Sequence, residues 1–572
     1  MAGFQMERGT IKIKGKKKGF SKSIISNIII DEEDVKEAVG YVLSDSSTET
    51  FNFVVMEEKR VSKNQYVVVP HPHERNSDGK PIMVLCRVLN GRYLNPETED
   101  GGYITLLLSK TGIMFGGREQ EILVFECQPL GYIHSCESYS EFRPVSDPIP
   151  TLYPVFEVDE KFISKFFDFK QQKEDIGQLI VGKDAHANQD IFLEMNNLIK
   201  GHLLITGMTR SGKSTFALNL IFSGITSNPP MRFIVYDRNN EYIGLKKLIP
   251  EDKLTIIDFR RFLDFRSLTD KNLCSMLGLP LKLNWSEIIT ATIFQLFEKR
   301  LKDPNRGSNC NECNKAKEGS CKTKIGWLCP NELVENIRTY RTTSSKSKEI
   351  ARNHVYRPKF QRRLKLLKFF DPKRENIIEL IKKQLVVIIN LNTDNNIMLQ
   401  QMAVAQIVKD ISRHALRTSG HDICCMHLLE EAQFYVAEKN APSYGDSRGT
   451  NVYNTIASGL SQMGGYNVGF ILITQRPAYV SKAAISQCNT IAVFRLRTKA
   501  DHDQLENSSE YITSALKQTI SSLRDNEFML SGTASPLPFP VIVKANVFVR
   551  PMKATLAPTQ VLQDLYKKEK DS

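Results

Sequence analysis

Eight consecutive residues, Gly207-Met208-Thr209-Arg210-Ser211-Gly212-Lys213-Ser214, place two glycines, a lysine and a hydroxyl at the spacing that wraps phosphates. Glycines let backbone N–H groups turn inward on an anion, and a helix starting there adds a favourable dipole. Lys213 is then the cation for the β- and γ-phosphates, and the Ser214 hydroxyl a ligand for Mg²⁺, with Thr215 next to it in the nucleotide site. The apolar Leu203-Leu204-Ile205 leads in and the helical Thr215–Ile221 leads out. That strand–loop–helix context separates a nucleotide cradle from a chance match in a surface turn. These residues point to a nucleoside triphosphate.

A second apolar run, Ile423-Cys424-Cys425-Met426-His427, ends in Leu428-Leu429-Glu430-Glu431-Ala432-Gln433. An acid at the tip of a buried strand faces the metal of a bound nucleotide. Glu430 suits the Mg²⁺ side, with one more methylene of reach than aspartate, and Glu431 suits the general base that takes a proton from water. A helix-like Ala432–Glu438 follows. A third run, Val468–Ile473, ends in Thr474-Gln475-Arg476-Pro477, where the Gln475 amide can orient that water or sense hydrolysis.

These tips need a scaffold of buried strands, and the alternation of patterns along the chain supplies one. The 572 residues suffice for two to four domains, and 41% hydrophobic with 25% charged is an ordinary globular mixture. Residues 1–35 read as a basic tail containing Lys12, Lys14, Lys16, Lys17 and Lys18. Residues 36–150 carry short apolar runs separated by Gly, Pro, Asn and Asp, which predicts a small β-barrel. Its candidate strands begin at Tyr66, Ile82, Tyr103 and Glu121. Continuous apolar runs alternating with amphipathic segments then predict an α/β core in two parts, 151–264 and 381–550. The expected core strands are His202–Thr206, Arg232–Tyr236, Leu385–Asn390, Ile423–Leu429, Val468–Ile473 and Thr490–Leu496, with a helix over Met398–Leu416. Val541–Val543 and Val547–Val549 read as closing strands, and 551–572 as a tail. A helical, basic, cysteine-bearing insertion occupies 265–380. No run is long enough to span a bilayer and no secretory signal opens the chain, which points to the cytoplasm.

Within the insertion, Cys310, Cys313, Cys321 and Cys329 give C-x₂-C-x₇-C-x₇-C. Four thiolates so grouped suit a closed, structural Zn²⁺ site, with four reduced free thiols as the alternative. The formal charge of +13 favours a polyanionic partner, and thirteen Lys or Arg lie between Arg338 and Arg374 against two acids. In Arg357–Phe370, the apolar Phe360, Leu364 and Leu367 alternate at helical spacing with Arg362, Arg363, Lys365 and Lys368. Those four cations suit sequence-independent contact with DNA phosphates, and a solvated helix face accounts for them equally well.

The three tips, with Asp237-Arg238-Asn239-Asn240-Glu241-Tyr242 and with Ser486-Gln487-Cys488-Asn489-Thr490 before Phe494-Arg495-Leu496, resemble the HerA family of the HerA/FtsK ATPases. The resemblance covers about residues 175–550, and the region before it fits that family's small barrel. It implies a RecA-like P-loop ATPase core, a homo-hexameric ring, and ATP-driven movement of double-stranded DNA. It also implies a separate partner, a NurA-like nuclease in DNA-end processing or another effector in antiviral defence. No nuclease constellation is evident in the chain itself. Two departures stand out: Gly201 precedes His202 where members often have arginine, and Met463-Gly464-Gly465-Tyr466 replaces a common "GRK" stretch. The trans-acting positive charge then falls to another residue, such as Arg448 or Arg476. A ring scaffold that is gated by nucleotide and activates an effector without moving DNA is the competing function.

Overall fold

The computed structural model describes residues 5–7, 10–12 and 35–551, apart from 95–121, 159–162, 165–176, 303–327, 371–374, 443–446 and a few stretches of one or two residues. Strands β1 (Gln5–Glu7) and β2 (Thr10–Lys12) form a separate hairpin.

Six strands close a barrel: β3 (Val35–Val42), β4 (Phe51–Val55), β5 (Tyr66–Arg75), β6 (Pro81–Leu94), β7 (Ile122–Cys136) and β9 (Pro154–Val158). Their order is β4-β3-β9-β5-β6-β7, and β4 pairs back onto β7; β8 (Tyr139–Arg143) adds to the end of β7. Closure leaves no open edge among these six. Phe51, Phe53, Val67, Val69, Val84, Val88 and Val155 fill the interior, because alternate positions of each strand face inward. The expected strand at Tyr103–Leu108 lies outside the described residues.

The second sheet has eleven strands: β10 (Gln178–Asp184), β11 (Asp190–Glu194), β12 (Leu203–Thr206), β13 (Phe233–Asp237), β14 (Leu254–Asp258), β15 (Val386–Asn390), β16 (Cys425–Leu429), β17 (Val468–Thr474), β18 (Thr490–Phe494), β19 (Glu527–Gly532) and β20 (Val541–Ala545). Its order is β11-β10-β20-β19-β18-β12-β17-β16-β13-β15-β14. The seven strands from β18 to β14 are mutually parallel, and the other four extend them antiparallel. Buried parallel strands must be apolar throughout, as Val386–Ile389 and Val468–Ile473 are. This is the α/β core expected from the sequence.

Both faces of the sheet are covered. On one face lie the helices α1 (Met195–Gly201) and α2 (Lys213–Thr226), and barrel residues Tyr66, Val68, Met83, Leu85 and Phe156 join the same apolar cluster. On the other, α3 (Asp270–Leu277), α4 (Asn284–Lys302), α5 (Pro330–Thr339), α6 (Ser345–Val355), α7 (Pro358–Leu364), α8 (Ile377–Lys383), α9 (Ile397–Arg417) and α10 (Val452–Gln462) share one cluster with Val387, Ile389 and Leu429. The helices of residues 270–370 thus extend the core of that face. Barrel and core are also joined by buried polar contacts: Tyr66 donates to Asp184 Oδ2 at 3.0 Å, and Arg87 donates to the Pro540 carbonyl.

Two expected elements differ. Residues 547–548 are not in a strand; the Phe548 N–H donates to Asn219 Oδ1 at 2.6 Å and its ring meets Phe222. After Glu431 the chain makes only a single 3₁₀ turn, Ala432–Phe434, rather than a helix to Glu438.

Candidate active site

Parallel strands present their C-terminal ends on one edge, and the three tips meet there. Strand β17 lies between β12 and β16, in register Thr206↔Thr474 and Leu429↔Leu472. The tip carrying Gln475 is therefore interposed between the phosphate loop and the two glutamates.

The loop, residues 207–212, is held on both sides. Met208 N–H donates to Arg495 O at 2.9 Å, and Asn526 N–H donates to Ser211 O at 2.9 Å. Gly207 (φ +152°) backs onto Phe494, and Gly212 (φ +114°) onto Asn526, where any Cβ would collide. Arg210 also takes a left-handed conformation, and Thr209 and Arg210 are exposed. Lys213 and Ser214 open α2, which places the lysine at a helix N-terminus and buries it. Its Nζ folds back to donate to Met208 O at 2.8 Å, an oxygen shared with Ser211 Oγ. Burial pulls its pKa down to about 8, against the opposing pull of Glu431, Glu241 and Glu430.

Glu430 is buried, and burial pushes its carboxyl well above the usual range, reinforced by Glu241, Asp237 and Glu431. Its Oε2 and that of Glu241 are buried without hydrogen-bond partners. Unpartnered carboxylate oxygens beside the N-terminus of α2, where Ser214 stands, fit a divalent cation. Glu430 and Ser214 would hold Mg²⁺, which supplies charge neutralisation to the bound phosphates. Asp237 accepts N–H bonds from Asn239, Glu241 and Tyr242 at 3.1–3.2 Å, and so shapes the turn that brings Glu241 in.

Glu431 sits at φ 53°, ψ 58°, a left-handed geometry uncommon outside glycine. Its Oε1 accepts from Gln475 Nε2, and its Oε2 from Gln433 Nε2 at 2.6 Å. The Gln475 carbonyl in turn accepts from Thr209 Oγ1 at 2.5 Å. Lys213, Glu430, Glu431 and Gln475 thus converge on one site with the loop. Glu241, Gln433 and Thr474 join the site without a role expected from sequence, although Glu241 lies in the Asp237–Tyr242 stretch and Gln433 and Thr474 stand within the two strand-tip sequences.

The remaining expectations lie elsewhere. Arg448 is exposed with its guanidinium 4.5 Å from the Tyr453 ring centroid. Arg476 Nε lies 3.2 Å from Asp501 Oδ2, and its guanidinium stacks on Tyr479. Gly464, in the stretch replacing "GRK", packs so tightly on the Lys200 carbonyl that a Cβ would lie 2.2 Å from it. His202 is buried and neutral, its pKa pulled to about 4 by burial; Nδ1 accepts from Phe470 N–H while Nε2 faces Leu460 O at 2.8 Å. Arg362 is exposed on α7, and Lys365 and Lys368 are exposed on the 3₁₀ stretch Lys365–Phe369 that follows it, whereas Arg363 is half-buried with its guanidinium over Gly278. Phe360, Leu364 and Leu367 face inward. Cys310, Cys313 and Cys321 lie outside the described residues; Cys329, at the start of α5, is half-buried and reduced. No helix among the described residues is long and apolar enough to cross a membrane.

Comparison with known proteins matches residues 174–414 to the family described as helicase HerA, central domain. A probable helicase of Methanocaldococcus jannaschii is 21% identical over 526 residues, covering 90% of this chain and 92% of that protein. The DNA double-strand break repair helicase HerA of Pyrococcus furiosus is 22% identical over 543 residues, covering 88% and 91%. Among solved structures, VirB4 of Thermoanaerobacter pseudethanolicus aligns with 68% of this chain and 99% of its own, at 11% identity and a TM-score of 0.44.

Proposed function

This chain belongs to the HerA family and is an ATPase, and from that premise we propose a DNA translocase acting on double-stranded DNA. Its relatives of similar length are described as helicases. We further propose that it acts as a hexameric ring with a separate nuclease or other effector, in DNA-end processing or antiviral defence. The observation that carries the reading is the convergence at one strand edge of a phosphate loop, a buried lysine, a carboxylate with one unpartnered oxygen and a second carboxylate held by two amides.

In this reading Gly207 to Thr215 hold the nucleotide, and Lys213 exchanges the Met208 carbonyl for the β- and γ-phosphates. Glu430 and Ser214 face Mg²⁺. Glu431 accepts the proton of the attacking water, and Gln475 links that carboxylate to the loop. Arg448 or Arg476 would reach the site of an adjacent copy. Arg362, Arg363, Lys365 and Lys368 would meet DNA phosphates, and the four cysteines Cys310, Cys313, Cys321 and Cys329 would hold a structural zinc.

Glu431→Gln tests the assignment. ATP binding should survive while turnover falls at least ~10³-fold, as loss of a general base together with its positioning predicts. Full-rate turnover would reverse the roles of the two glutamates. Hydrolysis stimulated by duplex DNA and displacement of a bound roadblock support the motor. ATP-dependent assembly with no DNA stimulation replaces it with the effector-activating scaffold.

A further inference from the structure

We propose that Gln433 and Thr474 are positioning residues that set the orientation of the Glu431 carboxylate, a proposal resting on the reading of Glu431 as the base. Thr474 is fully buried at the end of β17, and its Oγ1 donates to Gln433 Oε1 at 2.9 Å. With its carbonyl oxygen so engaged, the Gln433 side chain must present its NH₂ to Glu431 Oε2, 2.6 Å away. The other carboxylate oxygen has a parallel arrangement: Thr209 Oγ1 donates to Gln475 Oε1, and Gln475 Nε2 donates to Glu431 Oε1. Each carboxylate oxygen therefore takes one amide donor, and each amide is oriented by one threonine hydroxyl.

The two arms differ in exposure. Thr474 and Gln433 are buried in the core, while Thr209 is an exposed residue of the phosphate loop. A nucleotide filling the loop meets only the second arm. The buried arm keeps Glu431 in place, at a backbone geometry that disfavours it, while the exposed arm gives way and frees Oε1. A water can then lose its proton to Glu431 as its oxygen bonds to the γ-phosphorus. The bond to the bridging oxygen breaks, and ADP leaves with that electron pair.

The test uses the full-length chain, reading ATP turnover and the affinity of a fluorescent ATP analogue. Gln433→Leu should lower kcat about tenfold, the usual scale for loss of one charge-assisted hydrogen bond, and Thr474→Val by as much or somewhat less, because it removes a neutral hydrogen bond that acts only by orienting the Gln433 amide. Nucleotide affinity should stay near wild type, the double variant should be no slower than the worse single, and Thr474→Ser should recover most of the loss. Where an apolar variant fails to fold, two smaller changes decide: Thr474→Ser should turn over quickly, and Gln433→Asn, one methylene short, slowly. Unchanged kcat, additive losses, or a loss carried by nucleotide affinity would overturn the proposal. Glu431→Gln separates the two levels. If it turns over at full rate, the base assignment fails; if it is dead while Gln433→Leu is at full rate, only the positioning role fails.

Discussion

At Lys213, one ammonium carries two opposing demands. Burial lowers its pKa to about 8, so the nucleotide-free chain disfavours the cation that a triphosphate needs. The unfolded chain, with its lysine at the ordinary value of 10.5, binds more protons between about 8 and 10.5. The stability of the nucleotide-free protein therefore rises with pH across that window, and the cost of the buried cation is fully present below it. Nucleotide binding restores the cation. Above about pH 8, binding should thus take up a proton, and affinity should fall as pH rises through that value. Calorimetry in two buffers of different ionisation enthalpy, with Mg²⁺ withheld so that Glu430 is not engaged, measures this directly. Proton release, or none exchanged, would contradict it. The lysine itself was legible in the sequence, because its spacing from Gly207 and Gly212 is a fixed requirement of phosphate wrapping. Its carboxylate surroundings were only partly so. Glu241 reaches the site through a turn capped by Asp237, and Gln433 through a left-handed residue, and neither geometry has a periodicity to read.

At the scale of elements, the strands were the most legible part. Their cores are continuous apolar runs, and the helix Ile397–Arg417 extends the Met398–Leu416 periodicity by one residue at each end. In the α/β core, three kinds of element carry no apolar run of that length. Strand β14 is half-buried and carries the polar Thr255, and the hairpin β10–β11 has apolar runs of only three residues, Leu179–Val181 and Ile191–Leu193. Strand β19 follows a loop and joins an antiparallel extension rather than the parallel block. In the opposite direction, Val547–Phe548 look like a strand but stay exposed, tied to α2 by the Phe548 N–H bond to Asn219 and the ring contact with Phe222. The phosphate loop makes its own prediction at this scale. Gly212 has φ +114° and its missing Cβ would lie 2.7 Å from Asn526 Oδ1 and 3.0 Å from Asn526 Cα, so backbone must move to admit a methyl. Gly212→Ala should weaken ATP binding at least about tenfold, near 1.4 kcal/mol, through strain in the loop. Gly465→Ala, with nothing within 4 Å of the added carbon, should change ATP-binding free energy, read in the same titration, by less than about 0.5 kcal/mol. Equal losses from the two would remove the loop-strain explanation.

Across the whole molecule, barrel and core act on one body: Tyr66 and Arg87 of the barrel meet Asp184 and Pro540 of the core, and the phosphate helix shares the barrel's apolar cluster. The opposite face carries the basic helices, with Phe360, Leu364 and Leu367 turned into the core and Arg362, Lys365 and Lys368 turned out. Periodicity alone grouped Arg363 with those three. Packing separates it, since its guanidinium covers Gly278, a residue at φ +68° that ends α3 and admits no side chain there. Replacing Arg362, Lys365 and Lys368 together by glutamate should weaken duplex DNA binding at every sequence. The slope of log affinity against log salt should also shrink by about one unit for each phosphate no longer neutralised. Arg363→Glu should instead act mainly on stability, by about 1–2 kcal/mol, because it removes packing and brings a carboxylate against the helix C-terminus. Filter binding over a salt series, paired with thermal unfolding, distinguishes the two. An unchanged salt slope in the triple variant would move the DNA surface off this face, and a DNA defect in Arg363→Glu with stability intact would return that arginine to the phosphate-binding set.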